Sequence, residues 1–372
     1  MVPYLILVFV PFIFYYVGIY KKKGRLSLNI GNSQEIVTKN CVLPVFFIIL
    51  TLILMLRHDT IGRDILKYEY YFDKLSRAGF EELFSSDWDV LYVALNWVVG
   101  RFTDNFQVFL AIVAAITVLP IAVVYSQDKE YSVLKAMLFL NMPTFIMMFS
   151  GLRQSLAITM GVVAYTFVRK KKLGWFILFA FIAWGFHHTA FMVFLLYPLY
   201  HYPLKRKHLI FVVPTFLVMF VFNRQIFTTA TAFLSRVFGE EDYLVEVDNN
   251  GAYTMVMLFF MFAVLSYFLP DEDEMDEEAL GLRNILLLSA ILQCFAPIHM
   301  LAMRMNYYFI VLVPVAIGKF LKYTRENFKD VAWAAKTVML LFFMTYYLFN
   351  TYRSCRTGIS TLDIYPYRFF WN

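Results

Sequence analysis

The sequence predicts an all-α protein embedded in a membrane, with about twelve transmembrane helices in a single domain covering residues 1–372. Sixty per cent of the residues are apolar, 19% are aromatic and only 16% are charged, whereas soluble proteins carry roughly 25% charged residues. Long apolar runs alternate with short charged ones, and several runs approach the ~20 residues that cross ~30 Å of hydrocarbon. A water-soluble fold of this composition would expose large apolar patches.

Each apolar run of sufficient length is predicted to be one span. The first run precedes Lys21–Lys23, the reverse of a secretory signal peptide, so we expect it to be retained. Residues 57–103 are predicted to form an external segment, because their apolar piece from Trp88 to Gly100 is too short and too polar to cross. Residues 224–251 form a second external loop. The predicted spans are 2–20, 41–56, 104–126, 132–149, 152–168, 173–187, 189–203, 208–223, 252–270, 279–298, 303–321 and 331–350.

The basic residues orient these spans. Placing the loop after the first span in the cytoplasm puts 20 of the 33 Lys and Arg residues inside, following the positive-inside rule. Fifteen of those 20 are Lys, whereas 11 of the 13 outside are Arg. Arginine binds phosphate and carboxylate through two parallel hydrogen bonds, so the outer face is predicted to bind an anionic ligand. Pairing of these arginines with acids of the same face, or with lipid headgroups, remains an alternative.

Two predicted hairpins are too short for their bilayer. Only 32 residues separate Lys172 from Lys205, and 33 separate Lys135 from Arg169, whereas two full spans need about 40 residues. Their turns should therefore stop below the outer surface. Charged groups at that depth cost ~2.5–3.5 kcal/mol unless they face protein or water. The hairpins thus predict a shared polar cavity, lined by Arg153 and Gln154, by His187 and His188, and by Arg304, which lies at similar depth.

The external segment 57–103 contains two predicted helices. Apolar residues at spacings of three and four form one helix face suited to the membrane interface: Ile61, Ile65, Tyr68, Phe72 and Leu75. A second helix covers Trp88–Gly100. Together they are predicted to cover the cavity and to place four charged residues over it, namely Arg57, Arg63, Asp64 and Asp89. Each acid has a helix cap or a salt bridge as its alternative role. Asp87-Trp88-Asp89 matches the metal-binding pattern of soluble sugar transferases over three residues only, and we expect no metal site.

Several stretches, in the same order, resemble the EpsG family of bacterial exopolysaccharide proteins, which is related to Wzy-type polymerases. The resemblance covers most of the chain, with Arg63 in place of a usual Thr and Asp89 in place of Glu. The matching stretches are Arg57…Gly62-Arg63-Asp64…Tyr68, Asp89…Tyr92…Asn96, Gly151-Leu152-Arg153-Gln154…Ala157, Phe186-His187-His188-Thr189-Ala190, Arg304…Tyr308-Phe309 and Pro366-Tyr367-Arg368-Phe369.

The resemblance implies a polymerase that joins oligosaccharide units carried on undecaprenyl pyrophosphate, with the multi-span C-type glycosyltransferase architecture. It places the protein in the bacterial cytoplasmic membrane, with both termini and the active site outside. Membrane lipid, a flippase and a chain-length regulator are its expected partners, and neither a cofactor nor nucleic acid is expected. A single displacement needs one general base, for which Asp64, Asp89 and His187 are candidates, while arginine stabilises the leaving pyrophosphate.

Arg153 is the fourth predicted catalytic residue, expected to contact pyrophosphate. The predicted substrate-binding residues include Arg304 on pyrophosphate, with Gln154, Asn96 and tyrosines on sugars. The remaining members are Arg57, Arg63, His188, Tyr308, Tyr367 and Arg368. Of three other functions, two are disfavoured and the third stays open. A flippase of lipid-linked sugars should show inverted repeats, and none is evident; an O-acyltransferase would need access for an acyl donor. An O-antigen-ligase-like enzyme differs only in its acceptor.

Overall fold

Helices account for the regular structure of the chain. The computed structural model describes residues 1–24, 41–238, 253–270 and 272–371. Within these residues every regular element is an α- or 3₁₀-helix, and an isolated antiparallel bridge joins Arg57 to Phe369. The predicted all-α class is confirmed for the described residues. The chain divides into two compact units, residues 1–193 with 333–372 and residues 194–332, which are described separately.

The first unit contains the external segment and most of the site residues predicted from the sequence. Its helices are α1 (Val2–Gly24), α2 (Val42–Met55), α3 (Ile65–Ser76), α4 (Glu82–Ser85), α5 (Val90–Gly100), α6 (Phe106–Ser126), α7 (Ser132–Leu140), α8 (Pro143–Ser150), α9 (Leu152–Arg169) and α10 (Leu173–Phe186), followed by the 3₁₀-helix His188–Leu195.

The second unit follows from the end of that 3₁₀-helix. Its helices are α11 (Leu196–His201), α12 (Leu209–Val221), α13 (Asn223–Phe238), α14 (Tyr253–Leu265), α15 (Glu277–Gln293), α16 (Met300–Ile310) and α17 (Val313–Asn327). The long helix α18 (Lys329–Thr357) then returns the chain to the first unit. The predicted external loop 224–251 begins as part of α13, and its residues from 239 onward lie outside the described part.

Among the described residues, two helices, α6 and α18, are long and apolar enough to cross a membrane, and three bent helix pairs raise the number of candidate spans to as many as five. Helices α7 and α8 meet at a bend of 59°, and α16 and α17 at a bend of 46°. The third bend, of 80°, lies between the segments Arg206–Val221 and Asn223–Phe233. The sequence predicted one continuous span, 132–149, for α7 with α8 and another, 303–321, for α16 with α17. For the remaining pair it predicted a span, 208–223, followed by the external loop 224–251. Pro143 and Pro314 open the second helix of two pairs, because proline has no N–H to donate and suits a first helical turn. The count of twelve spans stays a prediction.

The apolar stripe of α3 faces protein rather than a membrane interface. Ile65, Tyr68 and Phe72 join one buried cluster with Phe109 of α6 and Leu156 of α9. Helix α3 packs on α5 and α6, and α9 packs on α6 and α10. The external segment therefore packs on the core of the first unit. This packing fixes the positions of Asp64, directly before α3, and of Asp89, directly before α5.

The helices break at both turns that the hairpin lengths predicted. Helix α8 ends at Ser150 and α9 begins at Leu152, while α10 ends at Phe186. These breaks place Arg153 in the first turn of α9 and His187 directly after α10. The depth of the two turns within the membrane stays a prediction.

Candidate active site

Asp89 is the centre of a charged cluster in the first unit. It immediately precedes α5, and its Oδ2 lies 2.7 Å from Nη1 of Arg153. Both side chains are partly sheltered from solvent, with 11% of Asp89 and 25% of Arg153 exposed. A charge-assisted contact at this distance is stronger than a surface ion pair, because less water screens it.

The turn after α10 adds two imidazoles to the cluster. The backbone N–H of His188 donates to Oδ1 of Asp89 at 3.0 Å. Nδ1 of His187 lies 3.9 Å from Oδ2, and Nδ1 of His188 lies 3.8 Å from Oδ1. The His187 side chain is 7% exposed and that of His188 is 68% exposed. The predicted partners Asp89, Arg153 and His187 thus meet at one point, although they come from three separate helix ends.

Aromatic residues that the sequence analysis did not name as site residues hold Arg153 in place. Its guanidinium lies 4.4 Å from the centroid of the Trp88 ring, a cation–π distance. Tyr68 packs edge-on against Trp88 at 5.4 Å, and Tyr71 lies 4.1 Å from the same ring. Arg153 is therefore fixed between a carboxylate and an aromatic face. Two features of the sequence could have indicated these aromatic residues: Trp88 is adjacent to Asp89, and Tyr68 belongs to a stretch that resembles the family.

Opposing effects set the charge of Asp89. Burial raises the pKa of its carboxyl, but the hydrogen bond from His188 and the electrostatic interactions with Arg153 and the two imidazoles more than offset that rise, so the pKa lies below its usual value. Asp89 is consequently ionised at neutral pH. Burial raises the pKa of the nearby Tyr68 hydroxyl, which remains a hydrogen-bond donor.

The same three side chains offer ligand atoms to a metal ion. One atom each from Asp89, His187 and His188 lies within 4.8 Å of the others, and imidazole with carboxylate suits several divalent metals. However, the guanidinium of Arg153 already contacts the Asp89 carboxylate at 2.7 Å. A fixed positive charge at that distance repels a cation and neutralises the acid that would bind it. The arrangement therefore suits an anion better than a metal.

Asp64, the second predicted carboxylate, anchors the external segment to the end of α8. Ser150 Oγ donates to Asp64 Oδ2 at 3.0 Å, and the Asp64 N–H donates to the same hydroxyl at 3.3 Å. Two residues earlier, Gly62 has a φ of +109°, and a Cβ there would lie 2.0 Å from the carbonyl oxygen of Phe149. This close approach brings the turn before α3 against the break that precedes Arg153.

Arg57 and Arg63 join the external segment to other parts of the first unit. Arg57 is only 2% exposed and donates to the carbonyl of Met148 at 3.1 Å. Burial lowers its pKa to about 10, so it remains charged at neutral pH. Arg63 is exposed, with Nε 3.2 Å from Oδ2 of Asp363. Both arginines have protein partners here, and neither contacts the Asp89 cluster.

The C-terminal segment contacts the chain where α2 ends and the external segment begins. The Tyr367 hydroxyl donates to the carbonyl of Ile53 at 2.7 Å. The carbonyl of Arg368 accepts a hydrogen bond from the backbone of His58, while the Arg368 side chain is exposed. Two predicted substrate-binding residues are thus held beside the C-terminal end of α2.

The remaining predicted residues have separate locations. Asn96 is fully buried in α5, and its amide nitrogen donates to the carbonyl of Tyr92. Gln154 is buried in α9 next to Arg153. Arg304 and Tyr308 belong to α16 of the second unit, where Tyr308 is buried and the Arg304 guanidinium lies 3.6 Å from the sulfur of Met300. Their predicted roles stay predictions.

Comparison with known proteins gives one family. The EpsG family model matches residues 40–369 of the chain, a range that includes the Asp89 cluster and the C-terminal segment. No curated protein and no solved structure matches the chain.

Proposed function

From the premise that the chain belongs to the EpsG family, which is related to the Wzy-type polysaccharide polymerases, we propose that it elongates a lipid-linked glycan at the Asp89 cluster. The observation that carries this proposal is the contact of Arg153 with Asp89 beside two imidazoles. A glycosyl transfer from pyrophosphate needs a cation for the leaving group and a base for the attacking hydroxyl. The cluster supplies both within a few ångströms.

In the proposed reaction, the anomeric carbon of the growing chain leaves its pyrophosphate and bonds to a hydroxyl oxygen of the next lipid-linked unit. The pyrophosphate departs with the bonding electron pair, and the hydroxyl proton passes to Asp89. A single displacement of this kind inverts the anomeric centre. Arg153 stabilises the charge that develops on the leaving group without itself exchanging a proton.

The Arg153–Asp89 contact supports an order of events. An incoming pyrophosphate competes with Asp89 for the guanidinium of Arg153, because both are anions and pyrophosphate carries the greater charge. As Arg153 turns to the substrate, Asp89 loses a neighbouring positive charge, which raises its pKa and makes it a stronger base. Substrate binding would thereby prepare the base that the reaction requires.

The histidines take supporting roles in this proposal. The buried His187 lies beside Asp89 and serves as a phosphate hydrogen-bond donor, or as the base if Asp89 only orients it. The exposed His188 reaches substrate from the side of the external segment. Arg153 supplies the positive charge for which other transferases use a metal, so we expect EDTA to leave polymerisation unchanged. A metal requirement would show as activity lost in EDTA and restored by Mg²⁺ or Mn²⁺.

The finer assignments rest on the sequence and the family. We infer that the donor is an oligosaccharide on undecaprenyl pyrophosphate and that the site opens at the outer face of the bacterial cytoplasmic membrane, where arginine outnumbers lysine. Arg304 is assigned to pyrophosphate, and Tyr308 and Gln154 to sugar hydroxyls. A flippase would supply the units, and a chain-length regulator would act on the product.

Deletion of the gene tests the proposed function. Lipid-linked glycans labelled in the deletion strain should accumulate as single repeat units on the outer leaflet, because supply continues while elongation stops. Re-expression of the Arg77→Ala variant should restore polymer, since Arg77 is exposed and pairs with Asp73 away from the cluster. Arg153→Ala should not restore it at equal expression.

Two other outcomes would identify a different activity. Units trapped on the inner leaflet would indicate a flippase of lipid-linked glycans. Full-length lipid-linked polymer that fails to reach its final acceptor would indicate a ligase, which uses the same chemistry on another acceptor.

A further inference from the structure

A pocket lies in the first unit, on another face of α3 from the Asp89 cluster. The pocket, of about 600 Å³ and here called the α3–α6 pocket, is bounded by the residues after α2, by α3, by the start of α6 and by the C-terminal segment. Its polar lining consists of His58, Asp59, Glu69, Asn105 and Gln107, and its apolar lining consists of Met55, Leu56, Phe106, Val108, Ala111 and Phe370. Tyr68 packs on Trp88 beside the Asp89 cluster, whereas Glu69, about 100° further round the helix, lines this pocket.

We propose that the α3–α6 pocket binds a neutral or amino-bearing segment of glycan, as a subsite separate from the Asp89 cluster. The inference rests on the proposed function, because that function supplies the glycan. The proposed mechanism uses none of the pocket's polar side chains. A transferase that extends a polymer needs contacts with sugars remote from the reacting carbon, since such contacts position the reacting ends.

The lining has the chemistry that recognises sugars. Carboxylates and amides, here Asp59, Glu69, Asn105 and Gln107, exchange hydrogen bonds with hydroxyl groups. Phe370 is an exposed aromatic at the pocket, and its backbone N–H donates to the carbonyl of Leu56 at 3.0 Å, which fixes its position. An exposed ring of this kind packs on the apolar face of a sugar.

Hydrogen bonds organise the polar side of the pocket. His58 Nδ1 accepts a hydrogen bond from the backbone N–H of Thr60 at 3.3 Å and lies 3.1 Å from Oγ1 of Thr60. The Asp59 carboxylate lies beside the same ring, with Oδ1 2.5 Å from Nδ1. Asn105 accepts a hydrogen bond from the backbone of Gln107 at 2.8 Å and caps α6, while the Gln107 side chain donates to the carbonyl of Met55. These bonds restrict the lining side chains, so a ligand would meet groups that are already ordered.

The charge of the pocket selects among ligands. Asp59 and Glu69 make it acidic, and burial together with the Asp59 charge raises the pKa of Glu69. An acidic sugar or a phosphate would add a third negative charge and is disfavoured. An acyl chain would pack on the apolar part of the lining, but it would leave both carboxylates against hydrocarbon without hydrogen bonds, which is costly. Hydroxyl or ammonium groups instead donate to the carboxylates.

Binding of free oligosaccharides tests the subsite. The probe is a set of three- to six-sugar fragments, released by mild acid from the surface polysaccharide of the producing cells and titrated onto full-length protein in lipid nanodiscs. We expect the double variant Asp59→Asn/Glu69→Gln to weaken binding at least tenfold. Asp73→Asn removes an exposed carboxylate one turn further along α3 and should bind as the wild type does. Equal affinity of wild type and double variant would overturn the subsite.

Photocrosslinking in native membranes separates glycan from lipid. A p-benzoylphenylalanine placed at Phe370 should capture sugar-labelled material, whereas capture of phospholipid alone would overturn the proposal. The Arg153→Ala variant distinguishes the two inferences. If it binds fragments normally but makes no polymer, both hold. If it makes normal polymer while the double variant still loses fragment binding, the subsite stands and the proposed chemistry fails.

Discussion

At the scale of single residues, the two predicted carboxylates have different surroundings. Asp64 accepts a hydrogen bond from Ser150 and anchors a turn, whereas Asp89 contacts Arg153 and lies within 4 Å of two imidazoles. A general base must lie within hydrogen-bond reach of the proton that it takes, and its pKa must suit the transfer. The pKa of Asp89 can rise when Arg153 turns to the substrate. On this difference we propose Asp89 rather than Asp64 as the base.

Asp89→Asn is expected to abolish polymer formation, with a loss on the order of 100-fold or more, because the amide keeps the size but cannot accept the proton. Asp87→Asn is the matched control, since Asp87 is exposed two residues earlier. Polymer formed per milligram of membrane protein is the measurement. Equal activity of Asp89→Asn and wild type would remove Asp89 from the mechanism and leave His187 as the base.

The pH dependence of kcat/KM gives an independent test of the base. Because the pKa of Asp89 is lowered in the free protein, its carboxylate stays ionised as the pH falls, and kcat/KM should remain level from pH 8 to pH 5. Activity should decline only below about pH 4, the ordinary range of aspartate. A base with an ordinary histidine pKa would instead lose activity through about pH 6.5. In Arg153→Ala the residual activity should decline at a higher pH than in the wild type.

The sequence predicted part of this cluster because two short hairpins fixed where their turns must lie. Arg153 and His187 follow from charge spacing, and Asp89 from the external segment. The role of Trp88 did not follow, because a cation–π contact depends on how α3, α5 and α9 pack. The partners of Arg57 were equally hidden, since Met148 is 91 residues away in the chain.

At the scale of elements, the turn before α3 determines how the external segment sits on the first unit. Gly62 donates its N–H to the carbonyl of Asp363, and its positive φ lets the chain pass against Phe149. A side chain here would meet backbone rather than a flexible group. The turn therefore depends on glycine for both its conformation and its clearance.

Gly62→Ala is expected to destabilise the protein by at least ~1–3 kcal/mol, the cost of an unfavourable φ alone. Gly174→Ala is the control, because Gly174 lies in α10 with no atom within 4 Å of an added Cβ. Thermal unfolding of both variants in detergent is the measurement. A melting temperature for Gly62→Ala equal to that of Gly174→Ala would show that the turn can rearrange without cost.

The elements also show where periodicity stops being informative. The stripe of α3 was predicted from its spacing, but the spacing does not distinguish a membrane interface from a protein core. The bends between α7 and α8 and between α16 and α17 were missed, because an apolar run continues through each break. Only the proline positions signalled them.

At the scale of the whole molecule, the distribution of lysine and arginine predicts which side of the membrane each loop faces. Asp87 lies in the external segment and Lys170 in the basic run after α9, and both side chains are exposed. The positive-inside rule places Lys170 in the cytoplasm and Asp87 outside. The proposed use of flipped, lipid-linked units requires the same orientation. A measurement of the topology therefore tests the proposed donor, whereas it does not test the proposed chemistry.

Single-cysteine variants measure this orientation directly. With Cys41, Cys294 and Cys355 changed to serine, Asp87→Cys should react with a membrane-impermeant maleimide in intact cells, and Lys170→Cys should react only after permeabilisation. Polymer formation by the cysteine-free protein is the control for folding. If the two patterns are exchanged, the Asp89 cluster faces the cytoplasm. The donor would then have to be a unit that has not been flipped, although the Arg153–Asp89 chemistry would be unchanged.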